Sequence, residues 1–212
     1  MTEMVGPAES GGAPAAGTPL QQQLRDGAPT RATPLEALAT AGRWFDQGRR
    51  IDMHGLAAEL GVSRVTLHRW VGTRERLLAE VLWASADRAL TRLHHTVATE
   101  QLAGSHTAEI LARWAVEVLD HPGIRQLQTD EGEKLARLLT SNASDFQRRL
   151  IERVELLLDE DIAAARITID LDAAELAYAT VRLGESFVHT PAITGEAPDP
   201  DRNARVLRAL LR

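Results

Sequence analysis

The stretch from Ile51 to Leu78, IDMHGLAAELGVSRVTLHRWVGTRERLL, sets three capped helical starts close together and constrains the fold more than any other part of the chain. Asp52 stands where an N-cap is needed, and Leu56, Ala57 and Leu60 fall on one side of the helix it opens. Gly61 follows the last apolar position, where a left-handed residue commonly ends a helix. Val62 then drops between helices, and the Ser63 hydroxyl can cap the next one. In that helix Leu67 and Val71 lie four apart and face inward, leaving Arg64, Val65, Thr66, His68 and Arg69 outside. Gly72 ends it, and Thr73 caps a further helix with the apolar stripe Leu77, Leu78, Val81 and Leu82. Two short helices joined by a tight glycine turn form the layout that places a recognition helix in a DNA major groove.

The side chains on the outer face suit that use. Arginine and threonine bond base edges or phosphates, and a valine can meet a thymine methyl. The candidate DNA-binding residues are Arg64, Val65, Thr66, His68, Arg69, Trp70, Thr73 and Arg74. The alternative is an ordinary solvated three-helix segment, but the glycine turn, the caps and the basic face agree with one another. A net charge of −6 looks wrong for a DNA binder until its distribution is counted. Residues 31–83 carry eight arginines against six acids, or +2, so the remainder carries −8. A basic footprint on an acidic body still attracts DNA locally.

These residues resemble the DNA-binding domain of TetR-type repressors. The resemblance is carried by Ala57, the Gly61-Val62 turn, the Thr66-Leu67 pair and the Leu77-Leu78 helix start. The chain departs from the family pattern at His68, where a tyrosine is usual, at Val71, where phenylalanine is common, and at Arg74, where a lysine is common. The resemblance implies that His68 and Arg74 hold phosphates, with altered geometry. The string VTLHRWVGTRERLLAEVLW, with YATVRLGESF from Tyr178 to Phe187, is similar to a narrower group, the QsdR-like regulators of quorum-signal lactone degradation. That similarity places lactone-like molecules among the effectors it implies.

Elsewhere the chain reads as helical. Residues 1–31 hold four of the nine prolines and five glycines without an aromatic residue, and so read as a disordered tail. From Pro34, Leu35, Leu38, Ala41, Trp44 and Phe45 mark the first amphipathic helix, to about Gly48. The helix from Thr73 runs to about His95. Helical periods follow at His106–Leu119, which His121-Pro122-Gly123 stops, and at Glu131–Leu139, Ser144–Arg166, Asp172–His189 and Asp201–Leu211. Ile167–Leu171 is the one short candidate strand. The expected fold is all-α, with a helix-turn-helix domain over residues 32–80 and a helical effector-binding and dimerisation domain over 81–212. No run reaches the roughly 18 apolar residues that cross a bilayer, so a cytoplasmic protein without membrane contact is expected. The absence of cysteine excludes disulfides and thiolate metal sites.

Further constellations carry less. Ala173, Ala177, Thr180 and Gly184 form a small-residue stripe, suited either to close packing within one subunit or to a twofold contact. Ala177, Gly184, Leu207 and Leu210 are the candidate dimer residues. Tyr178, Arg182, Glu185 and His189 share a strip that is either a surface ion pair or a pocket wall, with Tyr178 or Arg182 bonding a ligand. Trp114 is either a core residue or a third ligand contact. No HExxH, phosphate loop or nucleophile elbow occurs, so neither metal, cofactor nor enzymatic activity is expected. The reading is a homodimeric regulator, most simply a repressor, that binds a pseudo-palindromic double-stranded DNA operator and is released by a small apolar or amphipathic effector. Two alternatives stand beside it: a sequence-tolerant architectural DNA-binding protein without effector, and a helical-bundle enzyme with a bound cofactor.

Overall fold

The computed structural model describes residues 32–140, 144–188, 190 and 194–212. The tail expected over 1–31 and the role weighed for His189 lie outside the described residues. Residues 32–212 form one compact unit. Among the described residues the elements are all helices: α1 Pro34–Asp46, α2 Met53–Glu59, α3 Arg64–Val71, α4 Arg74–Ala98, α5 His106–Asp120, α6 Pro122–Thr140, α7 Phe146–Ala163, α8 Ala173–Val188 and α9 Pro200–Leu210.

Local chemistry sets the helix starts. Thr33 and Glu36 form a reciprocal capping box ahead of Pro34, with the Thr33 backbone N–H donating to Glu36 at 2.7 Å. Asp52 accepts from the Gly55 N–H at 2.7 Å, as expected of an N-cap. Gly61 and Gly72, at φ 65° and 71°, end α2 and α3 in the left-handed region that favours glycine.

The 25-residue α4 spans roughly 37 Å at 1.5 Å per residue. Its first turns bury Leu77 and Leu78 against α1 to α3, and its later turns bury Leu90, Leu93 and Val97 in the body. The expected boundary at 80/81 therefore falls inside a helix that serves both ends. The body packs α5, α7, α8 and α9 around Ile110, Val154, Leu158, Leu176 and Leu207.

Two elements differ from expectation. The His121-Pro122-Gly123 triplet ends α5 but opens α6 at once, because proline in a first turn lacks only an N–H that would be unpaired there. Glu131, expected to begin a helix, instead interrupts α6 at φ −144° and ψ 36°. Residues 167–171 form no strand. Thr168 donates one backbone bond to the Arg212 carbonyl, at 3.0 Å, and Ile167 is buried.

The start of α5 is held by a buried carboxylate. Asp161 of α7 accepts from the Ser105 hydroxyl at 2.7 Å and from the backbone N–H of Thr107 at 2.9 Å, with the Arg166 guanidinium 3.1 Å away. An anion facing unpaired N–H groups at a helix start is favourable.

Candidate nucleic-acid face and internal cavity

The caps expose one face of α3. Ser63 accepts from the Thr66 N–H at 3.0 Å, and the two hydroxyls are 2.9 Å apart, which turns the half-buried Thr66 toward its own cap. Leu67 is the buried anchor, while Arg64, Val65, His68 and Arg69 face solvent. Val65 is 79% exposed on this face. Among the described residues, neither Arg64 nor Arg69 forms an ion pair. Trp70 is half-buried in the cleft that Leu35 and Leu38 also line. Thr73 caps α4, accepting from the Arg76 N–H at 3.3 Å.

Arg74 is placed differently from the expectation. Its Nε donates to the Ile51 carbonyl at 2.6 Å, and its two terminal nitrogens donate to the Glu131 carboxylate at 2.9 and 2.7 Å. Its side chain is only 16% exposed, so the guanidinium is turned inward, with each of its three nitrogens engaged. Glu131 also meets Lys134 at 3.1 Å and Arg50 at 3.4 Å. Burial pushes the Glu131 carboxyl up, but the hydrogen bonds and charges of Arg74 and Lys134 outweigh it and hold its pKa below the ordinary 4.5. A lowered carboxylate pKa stabilises the fold above the unfolded value, and that stability fades as pH falls through the folded one. We expect the melting temperature to drop on acidification below about pH 4.5 and Glu131→Gln to flatten part of that drop, measured by thermal unfolding across pH. Identical pH profiles for the two proteins would contradict this.

Behind the head formed by α1 to α3 lies a cavity of about 140 Å³ that opens to the surface on one side. Leu111, Trp114, Phe146, Val154, Val181 and Leu207 supply apolar wall, and Phe45 and Leu82 supply the side toward the head. Of the three residues expected to meet a ligand, Trp114 lines this space. Tyr178 does not, being 57% exposed. Nor does Arg182, which pairs with Glu185 at 2.9 Å, bonds Gln147 and lies 5.7 Å from the Tyr178 ring. Burial pushes the Glu185 carboxyl up, against the opposing pull of Gln147 and Arg182. The polar lining residues Thr180 and Asn203 were not singled out as ligand contacts from sequence.

Of the four residues expected at a twofold contact, two are buried inside the subunit and two, Gly184 and Leu210, keep part of their surface. Ala177 and Leu207 are 0% and 1% exposed, and Leu210 is partly buried against the core. Gly184 lines the cavity, where an added Cβ meets nothing within 4 Å. Ala177 and Leu207, enclosed by their own subunit, have no surface left for a second copy. The reason is that α9 packs on α5, fixed by Arg208 to Glu109 at 2.8 Å.

The cavity and the head share a tight joint. The Phe45 ring stacks on His121 with centroids 4.6 Å apart, and a Cβ built on Gly123 would overlap both the Phe45 ring and its carbonyl oxygen. His121 Nδ1 accepts from the Gly123 N–H at 3.1 Å, and its Nε2 lies 3.4 Å from Asp46. Phe45 thus belongs at once to the head's core, to this joint and to the cavity wall.

A helix-turn-helix head on a helical body with an internal cavity is the architecture of a transcriptional regulator. Residues 104–212, just over half the chain, match the family described as tetracyclin repressor-like, C-terminal domain. The chain belongs to this family and is a TetR-family transcriptional regulator. No curated protein sequence matches it. Among solved structures it is similar to the transcriptional repressor QsdR of R. erythropolis, at 25% identity and a TM-score of 0.73, covering 86% of this chain and 96% of that one. It is similar also to a TetR-family regulator of Pectobacterium atrosepticum, at 20% identity and a TM-score of 0.58, covering 92% and 93%. A third neighbour, FadR of Bacillus subtilis in complex with stearoyl-CoA, is 14% identical with a TM-score of 0.51, covering 84% and 96%. Among the described residues no helix is long and apolar enough to cross a membrane.

Proposed function

We propose that the protein is an effector-released repressor that binds a short twofold-symmetric operator as a homodimer. The observation that carries this reading is the shared residue Phe45, which makes the cavity wall and the core of the DNA-binding head one continuous packing unit. Packed interiors respond to added volume by shifting elements rather than by compressing. A molecule entering the cavity meets Phe45 and Leu82 directly and biases how the head sits on α4. In a dimer, that bias changes the separation of two recognition helices that must match half-sites roughly 34–36 Å apart.

Arg64, Val65, His68 and Arg69 form the contact face, with Thr66, Trp70 and Thr73 at its border. Arg69 is the base-reading candidate. Its replacement by alanine is expected to weaken operator binding by about 1–3 kcal/mol and to relax preference at one base pair. An equal loss on random DNA would make it a phosphate contact. Arg74 acts as a strut between the start of α4 and the break in α6, not as a phosphate ligand. Arg74→Ala is therefore expected to lower the melting temperature while leaving the salt dependence of DNA binding unchanged; a salt slope reduced by about one unit would return it to the phosphate role.

The second copy is assigned to the outer faces of α7 and α8, where Leu156, Ile162 and Tyr178 are exposed. Leu156→Glu is expected to yield folded monomers by sedimentation. A stable dimer from that variant would place the interface elsewhere. The lactone-like effector suggested by the QsdR resemblance rests on a 25% identical neighbour, and the cavity's own chemistry is the better guide to the ligand.

A further inference from the structure

We infer that the cavity takes a compact, uncharged molecule of about one ring, carrying a single hydrogen-bonding group, rather than a long acyl chain or an anion. The inference rests on the cavity being the effector site and adds the ligand's chemical class. Size is the first constraint. At about 140 Å³ the space is close to the roughly 150 Å³ that holds benzene, and because it opens to the surface on one side a ring sits within it while an extended fatty chain would project into water. The wall suits a ring. Trp114, Phe45 and Phe146 offer aromatic surface, and Leu111, Val181 and Leu207 close the space with branched aliphatic groups.

Charge is the second constraint. Glu117 and Glu185 are among the lining residues, and no lysine or arginine is among the described ones. Arg92 and Arg182 pair with these two carboxylates, at 2.5 and 2.9 Å, from outside the lining. His121 is held by Gly123 and Asp46. An entering carboxylate or phosphate finds no cation to offset its desolvation.

The third constraint selects the polar group. Thr180 and Asn203 both line the cavity and are 1% and 3% exposed. Thr180 Oγ1 and Asn203 Oδ1 have no hydrogen-bond partner among the described residues. Buried polar atoms are nearly always bonded, and two orphans on residues that line one apolar cavity point to a group that completes them once their side chains turn toward it. A hydroxyl or a neutral amide can donate to Asn203 and accept from Thr180.

The test uses the full-length protein and four probes in calorimetric titration: 4-ethylphenol, toluene, 4-ethylbenzoate and 1-decanol. The phenol is uncharged at pH 7, since its hydroxyl titrates near pH 10. The expected order places 4-ethylphenol first and 4-ethylbenzoate at least ~100-fold weaker. Thr180→Val, which keeps side-chain shape, is expected to weaken 4-ethylphenol by roughly three- to tenfold and toluene by less than about twofold. Equal losses for the two rings would show that Thr180 contributes only shape. Tighter binding of 1-decanol or 4-ethylbenzoate than of 4-ethylphenol would overturn the size or the charge argument. Operator release by the same compound is read separately by anisotropy, so the ligand class and the effector role can fail independently.

Discussion

Leu207→Glu is expected to unfold the subunit, not to split a dimer into folded monomers. Leu207 is 1% exposed, sits on α9 against α5 and closes one side of the cavity. Removing a buried leucine side chain alone costs about 2–5 kcal/mol. Placing an unpaired carboxylate there adds a desolvation penalty of several kcal/mol, unless the group takes a proton. Against a total stability on the order of 5–15 kcal/mol, the sum is close to the whole. Circular dichroism at neutral pH should show lost helix content or a greatly lowered melting temperature. A variant with native melting behaviour and halved mass would move Leu207 from the core to an interface. Leu156→Glu, on an exposed position, is the matched control because it introduces the same charge without burying it.

Gly123→Val should produce the next largest effect. Even one added carbon at this position would overlap the Phe45 ring and the Phe45 carbonyl oxygen. A ring can swing aside, but a backbone oxygen moves only with α1. Overpacking usually costs 1–3 kcal/mol, and a clash with backbone belongs at or above the upper end, so about 3 kcal/mol or more is expected. For a protein of this size that is a fall in melting temperature of roughly 6–12 °C. Gly123→Ala should give a smaller fall of the same kind. Combining it with Phe45→Ala should relieve the ring clash but not the carbonyl clash, leaving the double variant's losses less than additive. Purely additive losses would mean the two residues do not press on each other.

The parts that local chemistry governs were legible in the sequence. Asp52, Ser63 and Thr73 cap the helices they were expected to cap, and Gly61 and Gly72 end α2 and α3, because caps and left-handed glycines involve residues within four positions. The all-helical fold followed from the same periodicity. The pairing of Arg74 was not legible for the opposite reason: its partner Glu131 lies 57 positions away, and no local pattern announces it. The small-residue stripe on α8 was ambiguous in principle. Ala177 and Thr180 look alike whether a neighbouring helix comes from the same subunit or another, and only their burial in the folded subunit, at 0% and 1% exposed, places these two against its own helices. The cavity left a faint trace. Asn203 stands four positions before Leu207 on an otherwise apolar face, a polar residue where the core pattern calls for none, but only folding shows that Thr180 shares its cavity.

The proposed function requires cavity and DNA-binding head to respond as one unit. The direct measurement is operator affinity by fluorescence anisotropy, with and without a saturating cavity ligand, on a sequence selected from random DNA. One short twofold-symmetric site is expected, bound at least ~10³-fold tighter than random DNA. A ligand seated against Trp114 is expected to weaken that binding by roughly 5–150-fold, the usual range of coupling between two sites. A ligand shown by calorimetry to fill the cavity while operator affinity stays unchanged would contradict it.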